Sequence, residues 1–165
     1  IITGIKEIKF LGKIFIKNIE FSKKINIYKL RKLPIGIISS NRITRGANQE
    51  LTIKEFLFPY ENNQITKIIQ KANINCNLTD KIKTLSGGML QRLILERELS
   101  LNSEILFLFE PDQGLDTNGR YNLSKKILEA NSQGTTIIIF TSSGEKELLE
   151  ISDSIFKLSE GKLIK

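Results

Sequence analysis

Two short apolar runs constrain this chain more than any other feature: Ile105 to Phe109 (ILFLF) and Thr136 to Phe140 (TIIIF). Neither alternates polar with apolar residues, and a continuous run of that length reads as a strand covered on both faces. Between them, Thr117 to Ser132 reads as a helix that ends near Gly134. Strand, helix and strand in this order predict an α/β fold with a mostly parallel sheet clad in helices. Ahead of the first run, Ser86-Gly87-Gly88 opens an amphipathic helix that continues to about Leu101. Behind the second, Gly144 to Ile151 predicts a further helix, and SIFKLSEGKLIK predicts a closing β-hairpin around Gly161.

The first half is less regular. Ile8 to Glu20 alternates loosely around Gly12 and predicts a strand or hairpin. Asn26 to Leu33 predicts a short helix stopped before Pro34, because a proline disfavours helical backbone in the residue before it. Ile35 to Ser39 is a brief apolar run, and Ser40 to Glu50 is a polar loop containing Gly46. Thr52 to Ala72 predicts two helices broken near Pro59, and Asn73 to Thr84 a polar connector. The 165 residues amount to one domain and allow a sizeable core.

Composition removes several kinds of chemistry. There is no histidine, so imidazole proton transfer and imidazole metal ligation are excluded. Cys76 is the only cysteine, so the sequence allows neither an internal disulfide nor a cysteine cluster. The net charge of +7 comes from lysines scattered along the chain, without the basic cluster interleaved with aromatics that a single-strand groove needs. A solvated basic surface is expected, and no nucleic-acid partner. No run approaches the roughly 18 apolar residues of a membrane helix. The sequence opens at Ile1 without a leader pattern, which reads as a fragment or a degenerate gene product rather than a secreted protein.

Two motifs carry chemistry. In Leu85-Ser86-Gly87-Gly88-Met89-Leu90-Gln91-Arg92, a serine and two glycines start a helix. Its N–H groups are open to a phosphate with no Cβ in the way, and the helix dipole favours an anion there. Ser86 also suits the N-cap position. In Phe109-Glu110-Pro111-Asp112-Gln113-Gly114-Leu115-Asp116, a carboxylate follows a buried strand, where open α/β sheets bind ligands. Glu110 there is a candidate to orient or deprotonate water.

LSGGMLQR, then ILFLFEPDQGLD, then TTIIIFTSS, then SEGKLIK resembles the motif order of ABC ATPases: signature, Walker B strand with its catalytic Glu, D-loop, switch loop and closing hairpin. The resemblance covers essentially the whole chain. It implies a P-loop NTPase-like domain lacking its N-terminal part, with a helical subdomain at about 42–84 and the motif region at 85–165. PIGIISSNRITRGANQELTIKEFLF, QGLD and LERELS resemble the second ATP-binding domain of simple-sugar and nucleoside importers. Several family residues are absent: no G-x-x-x-x-G-K-[ST] occurs, Phe109 stands at the magnesium-associated Asp, Ser40 at the Q-loop and Ser143 at the switch histidine. Asp112, Gln113 and Glu96 also depart from the usual Thr, Arg and Ala.

The resemblance therefore implies a divided molecule. Glu110 is the one nucleotide-acting residue of the domain's own site, either a relic or a weak polariser of water. Ser86, Gly87, Gly88, Gln91 and Asp116 would serve ATP in trans, with magnesium held by the partner domain. Implied partners are a second ABC ATP-binding domain and an integral membrane permease, at the cytoplasmic inner face of the cell membrane. Two other readings stay open at this stage: a soluble ABC-type ATPase acting on DNA or ribosomes, and a non-functional gene remnant.

Overall fold

The computed structural model describes residues 12–16, 18–22, 33–39, 47–58, 60–101, 103–144, 146–160 and 162–164. The apolar runs pair as parallel strands. β3 (Ile35–Ile38), β4 (Ile105–Phe109) and β5 (Thr136–Phe140) lie in that order, with Ile38 opposite Leu108 and Phe109 opposite Phe140. Before them, β1 (Lys13–Ile16) pairs antiparallel with β2 (Ile19–Ser22), later in the chain than the hairpin expected around Gly12. Residues 8–11 of the expected strand or hairpin, 26–32 of the expected helix and 40–46 of the expected loop, including the Ser40 and Gly46 positions, lie outside the described residues.

One face of the sheet belongs to the core. Ile38, Leu106 and Leu108 pack with Ile137 and Ile139 against residues of every long helix. The other face is covered near the strand starts, where Ile16 and Phe21 meet Ile35 and Ile105. Towards the strand ends it opens: Ile138 and Phe140 are 38% and 42% exposed. The expectation that TIIIF is buried on both faces is thus corrected. β5 is an edge strand among the described residues, and an edge strand's apolar run need not be covered twice. Phe109 and Phe140 instead stack on each other, ring centres 4.6 Å apart and nearly parallel.

Helix α1 (Ile53–Phe56) starts with a capping box in which Thr52 and Glu55 satisfy each other's backbone N–H groups. α2 (Asn62–Ala72) buries Ile65, Ile68 and Ala72, and Asn73 in left-handed backbone ends it. Both fall where the sequence predicts two helices. A short 3₁₀ turn (Ile82–Thr84) then leads into α3 (Gly87–Leu99), the most deeply packed helix. α4 (Thr117–Ser132) matches its predicted span, while α5 (Lys146–Leu149) is shorter than predicted. β6 (Lys157–Ser159) and β7 (Lys162–Ile164) form the expected terminal hairpin. Among the described residues no helix is long and apolar enough to cross a membrane.

α3 carries two buried carboxylates, each with a partner. Glu98 binds Arg97 at 2.8 Å and accepts from the Ile37 N–H, tying α3 to β3. Glu96, 3% exposed, is paired with Lys126 of α4. Burial pushes the Lys126 ammonium below the ordinary lysine value. The departure at position 96 is therefore a charge held by a partner on the neighbouring helix, as a buried charge requires.

Candidate functional site

The tip of α3 is built by Ser86. Its backbone is extended, and its hydroxyl accepts from the Met89 N–H at 3.3 Å while the Leu90 N–H reaches the Ser86 carbonyl at 2.9 Å. The remaining first-turn donors, Gly87 and Gly88, have no i−4 carbonyl within the helix and must find acceptors outside it. Ser86 and Gly87 are exposed and Gly88 is half-buried. A Cβ on Gly87 would meet nothing within 4 Å, and one on Gly88 only the Arg92 Nη1 at 3.9 Å. Internal packing therefore supplies no reason for either glycine, although each weakens a helix relative to alanine.

The rest of the motif ties the helix to the protein: Leu90 and Gln91 are buried, while Arg92 is exposed. Arg92 donates to the Ala72 carbonyl at 2.9 Å, placing a guanidinium at the C-terminus of α2, where it complements the helix dipole. Leu85 and Leu90 join the core. Gln91 is buried, and its amide donates to the Pro111 carbonyl.

The carboxylate loop follows from strand register. Because Phe109 lies opposite Phe140 in a parallel pair, Glu110 and Thr141 leave the sheet side by side. The Ser142 N–H donates to both Glu110 oxygens, at 3.1 and 3.2 Å, and the Thr141 hydroxyl lies 3.3 Å from Oε2. Asp112, 5% exposed, accepts from the Ser143 hydroxyl. The Thr141 hydroxyl also lies 3.4 Å from Asp112, and it accepts from the Ser143 N–H at 3.2 Å. Glu110 adopts φ +46°, a left-handed conformation that a non-glycine residue enters at some cost. Two departures from the ABC pattern, Asp112 and Ser143, are thus bonded to each other.

The last candidate, Asp116, caps α4 by accepting from the Gly119 N–H at 2.7 Å. Gly119 leaves room for this cap, since a Cβ would lie 2.9 Å from Asp116 Oδ1 and 3.1 Å from Leu115 Cβ. Asp116 remains exposed.

The structure thus brings Gln91 to the Glu110 loop and leaves Ser86, Gly87 and Asp116 facing outward. Thr141 and Ser142 are the residues that sequence reasoning passed over. Their signal is the position just after a strand predicted to run parallel to ILFLF, where side-chain and backbone donors meet the neighbouring strand's carboxylates.

The family profile described as ABC transporter matches residues 2–113. The chain belongs to the ABC transporter family. It is 35% identical over 134 residues to the xylose import ATP-binding protein XylG of Escherichia coli K12, covering 79% of this chain and 26% of that protein. It is 31% identical over 121 residues to the probable riboflavin import ATP-binding protein RfuB of Treponema pallidum, covering 67% of this chain and 21% of that protein. The matched region therefore spans about a quarter or less of these relatives' length. MJ1267, an ATP-binding cassette of an ABC transporter in its ADP conformation, superposes with a TM-score of 0.72 at 19% identity, over 93% of this chain and 67% of that one. The dimeric cassette MJ0796 bound to ADP and phosphate superposes with a TM-score of 0.66 at 20% identity, over 85% and 64%. These likenesses establish the fold, that of an ABC ATPase domain present in part.

In an ABC ATPase domain, magnesium and ATP would be expected near Glu110, and the residues present there do not fit them. Both Glu110 oxygens already accept from the 141–142 segment, and the adjoining strand-end side chain is a phenylalanine stacked on another. No group of three or more His, Cys, Asp or Glu residues among the described ones is arranged to hold a metal. The α3 tip fits an anion far better, with two bare glycines on a helix of 13 residues.

Proposed function

We propose that this chain is part of an ABC importer ATPase and that its α3 tip completes a nucleotide site held mainly by a partner ATP-binding domain. Its own site is degenerate. The observation that carries this reading is the pair of open glycines: two helix-weakening residues stand where internal packing needs neither, on a surface suited to close approach by phosphate oxygens. The nucleotide, with magnesium bound by the partner, supplies the phosphoryl group. This chain contributes a serine hydroxyl, two free N–H groups and the positive end of a helix dipole. Asp116 lies exposed at the head of α4 and belongs to the same interface. The helical segment at about 42–84 meets an integral membrane permease, with the domain peripheral at the cytoplasmic face. The similarity to xylose and riboflavin import proteins supports a cargo of simple sugars or nucleoside-like molecules.

The test uses this chain alone and together with the ATP-binding domain that copurifies with it. Alone, it should hydrolyse Mg-ATP negligibly; turnover in the usual enzyme range of about 1–10³ s⁻¹ would refute a degenerate site. With the partner, Ser86→Glu sets a carboxylate against the phosphates and should lower turnover about 10²-fold or more, the loss expected when a transition-state donor is removed. Unchanged turnover would remove the tip from the reaction.

A further inference from the structure

We propose that Gln91 is a positioning residue that couples the α3 tip to the Glu110 loop, an inference that rests on the reading of the tip given above. Gln91 lies five residues beyond Ser86, roughly 7 Å along the helix axis. It is only 6% exposed, and its Nε2 donates to the Pro111 carbonyl. Its Oε1 is buried without a hydrogen-bond partner among the described residues. An orphaned buried acceptor lowers stability, and an apolar side chain of similar volume would remove that cost while leaving the Pro111 carbonyl without its donor, so the two effects oppose each other. Folding alone therefore does not call for glutamine at this position. What the amide does is hold one carbonyl, and that carbonyl belongs to the residue between Glu110 and Asp112.

From Pro111 the connection continues in both directions. Glu110 accepts from Thr141 and Ser142, and Asp112 from Ser143. Four residues past Asp112, Asp116 caps α4. A displacement of the α3 tip as it grips phosphate is thus delivered through one buried amide to the carboxylate loop, the 141–143 segment and the head of α4. Pro111 has no N–H and is fixed in φ, so the loop takes up such a displacement as a unit rather than by bending at that residue.

The experiment is amide hydrogen exchange on the full chain, comparing wild type, Gln91→Met and Gln91→Glu. Q91M should melt close to the wild-type temperature, because removing the orphaned oxygen offsets the lost bond to Pro111. Amides of 110, 112–116 and 141–144 should exchange roughly two- to tenfold faster, the factor for one net hydrogen bond, while those of Leu93–Leu99 stay unchanged. While ionised, Q91E should lose loop protection at least as far as Q91M and melt lower, because a carboxylate cannot donate to a carbonyl and its charge is buried without a partner. It should regain loop protection, corrected for intrinsic rates, once acid protonates it into a donor. Loop exchange identical to wild type in Q91M, or a lower melting temperature with uniformly faster exchange, would overturn the proposal. Exchange requires neither nucleotide nor partner, so it separates this coupling from the trans reading. In the assembly with the partner, Q91M should lower kcat while KM for ATP stays within about twofold, the pattern of a lost transition-state interaction. A KM effect with unchanged kcat would assign Gln91 to nucleotide binding instead.

Discussion

Replacing Gly87 and Gly88 together by alanine separates what this chain needs in order to fold from what its α3 tip does. Neither glycine has a positive φ, and the added methyl groups would meet open space or a single ordinary contact at 3.9 Å. Glycine in a helix costs roughly 0.5–1 kcal/mol relative to alanine. The first helical turn lies at the lower end, so the double variant should gain about 1–1.5 kcal/mol. In a chain of this size each kcal/mol moves the melting temperature by about 2–4 °C, giving an expected rise of about 2–6 °C. The same methyl groups stand where a phosphate would approach the N–H donors. A displacement of about 1 Å at a reacting group can cost about 10²-fold in rate, and turnover of the assembled partner site should fall by that order. Thermal melting by circular dichroism and steady-state ATP hydrolysis with the partner read the two effects on one preparation. A variant that melts lower, or that melts higher and still supports turnover within about twofold of wild type, refutes the assignment of the glycines to an external phosphate.

Lys126→Met leaves Glu96 buried without its cation and should destabilise by about 3–5 kcal/mol in urea titrations, whereas adding Glu96→Ala in the same chain should recover most of it. Full cost in the double variant would show that the pair is not the cause. Lys81 and Lys83, at 2.8 and 3.0 Å, hold the exposed Glu50 carboxyl down to about 2. Because its folded value is depressed, its contribution is present above the unfolded value of 4.5 and disappears as pH falls through about 2. The melting difference between wild type and Glu50→Gln should therefore shrink over that window, and at high salt; a difference that grows on acidification would reverse the sign. Asp112→Ala removes the acceptor of the Ser143 hydroxyl and should speed amide exchange at 141–144 roughly two- to tenfold without altering α2. Unaltered exchange there would mean that Glu110 alone holds the segment.

Much of the fold is legible in the sequence, for a physical reason that differs between elements. ILFLF and TIIIF announce parallel strands because a strand away from solvent leaves no polar position in its pattern, and the register Phe109 opposite Phe140 follows from pairing them end to end. Ser86 and Asp116 mark their helix starts because a short side-chain oxygen before a helix has one favourable use, accepting a first-turn N–H. What the sequence hides is lateral. TIIIF has the composition of a strand covered on both faces, yet Ile138 and Phe140 remain partly exposed, since burial depends on what lies across the sheet and not on the strand itself. Glu96 reads as an oddity until Lys126, thirty residues away and on another helix, is seen beside it. Gln91 reads as a nucleotide-facing residue of the signature helix, whereas the structure turns its side chain inward to Pro111. Ser143 is legible as a departure from the family pattern, but its bond to Asp112, a second departure, requires the two strand ends to be adjacent.

The central claim is tested most directly by the structure of the ATP-bound assembly with its partner domain. Ser86 Oγ and the Gly87 or Gly88 N–H should lie about 3 Å from a terminal phosphate oxygen of a nucleotide whose other phosphates rest in the partner's phosphate-binding loop. A nucleotide seated against Glu110 in this chain, with the glycine tip facing solvent, would contradict it.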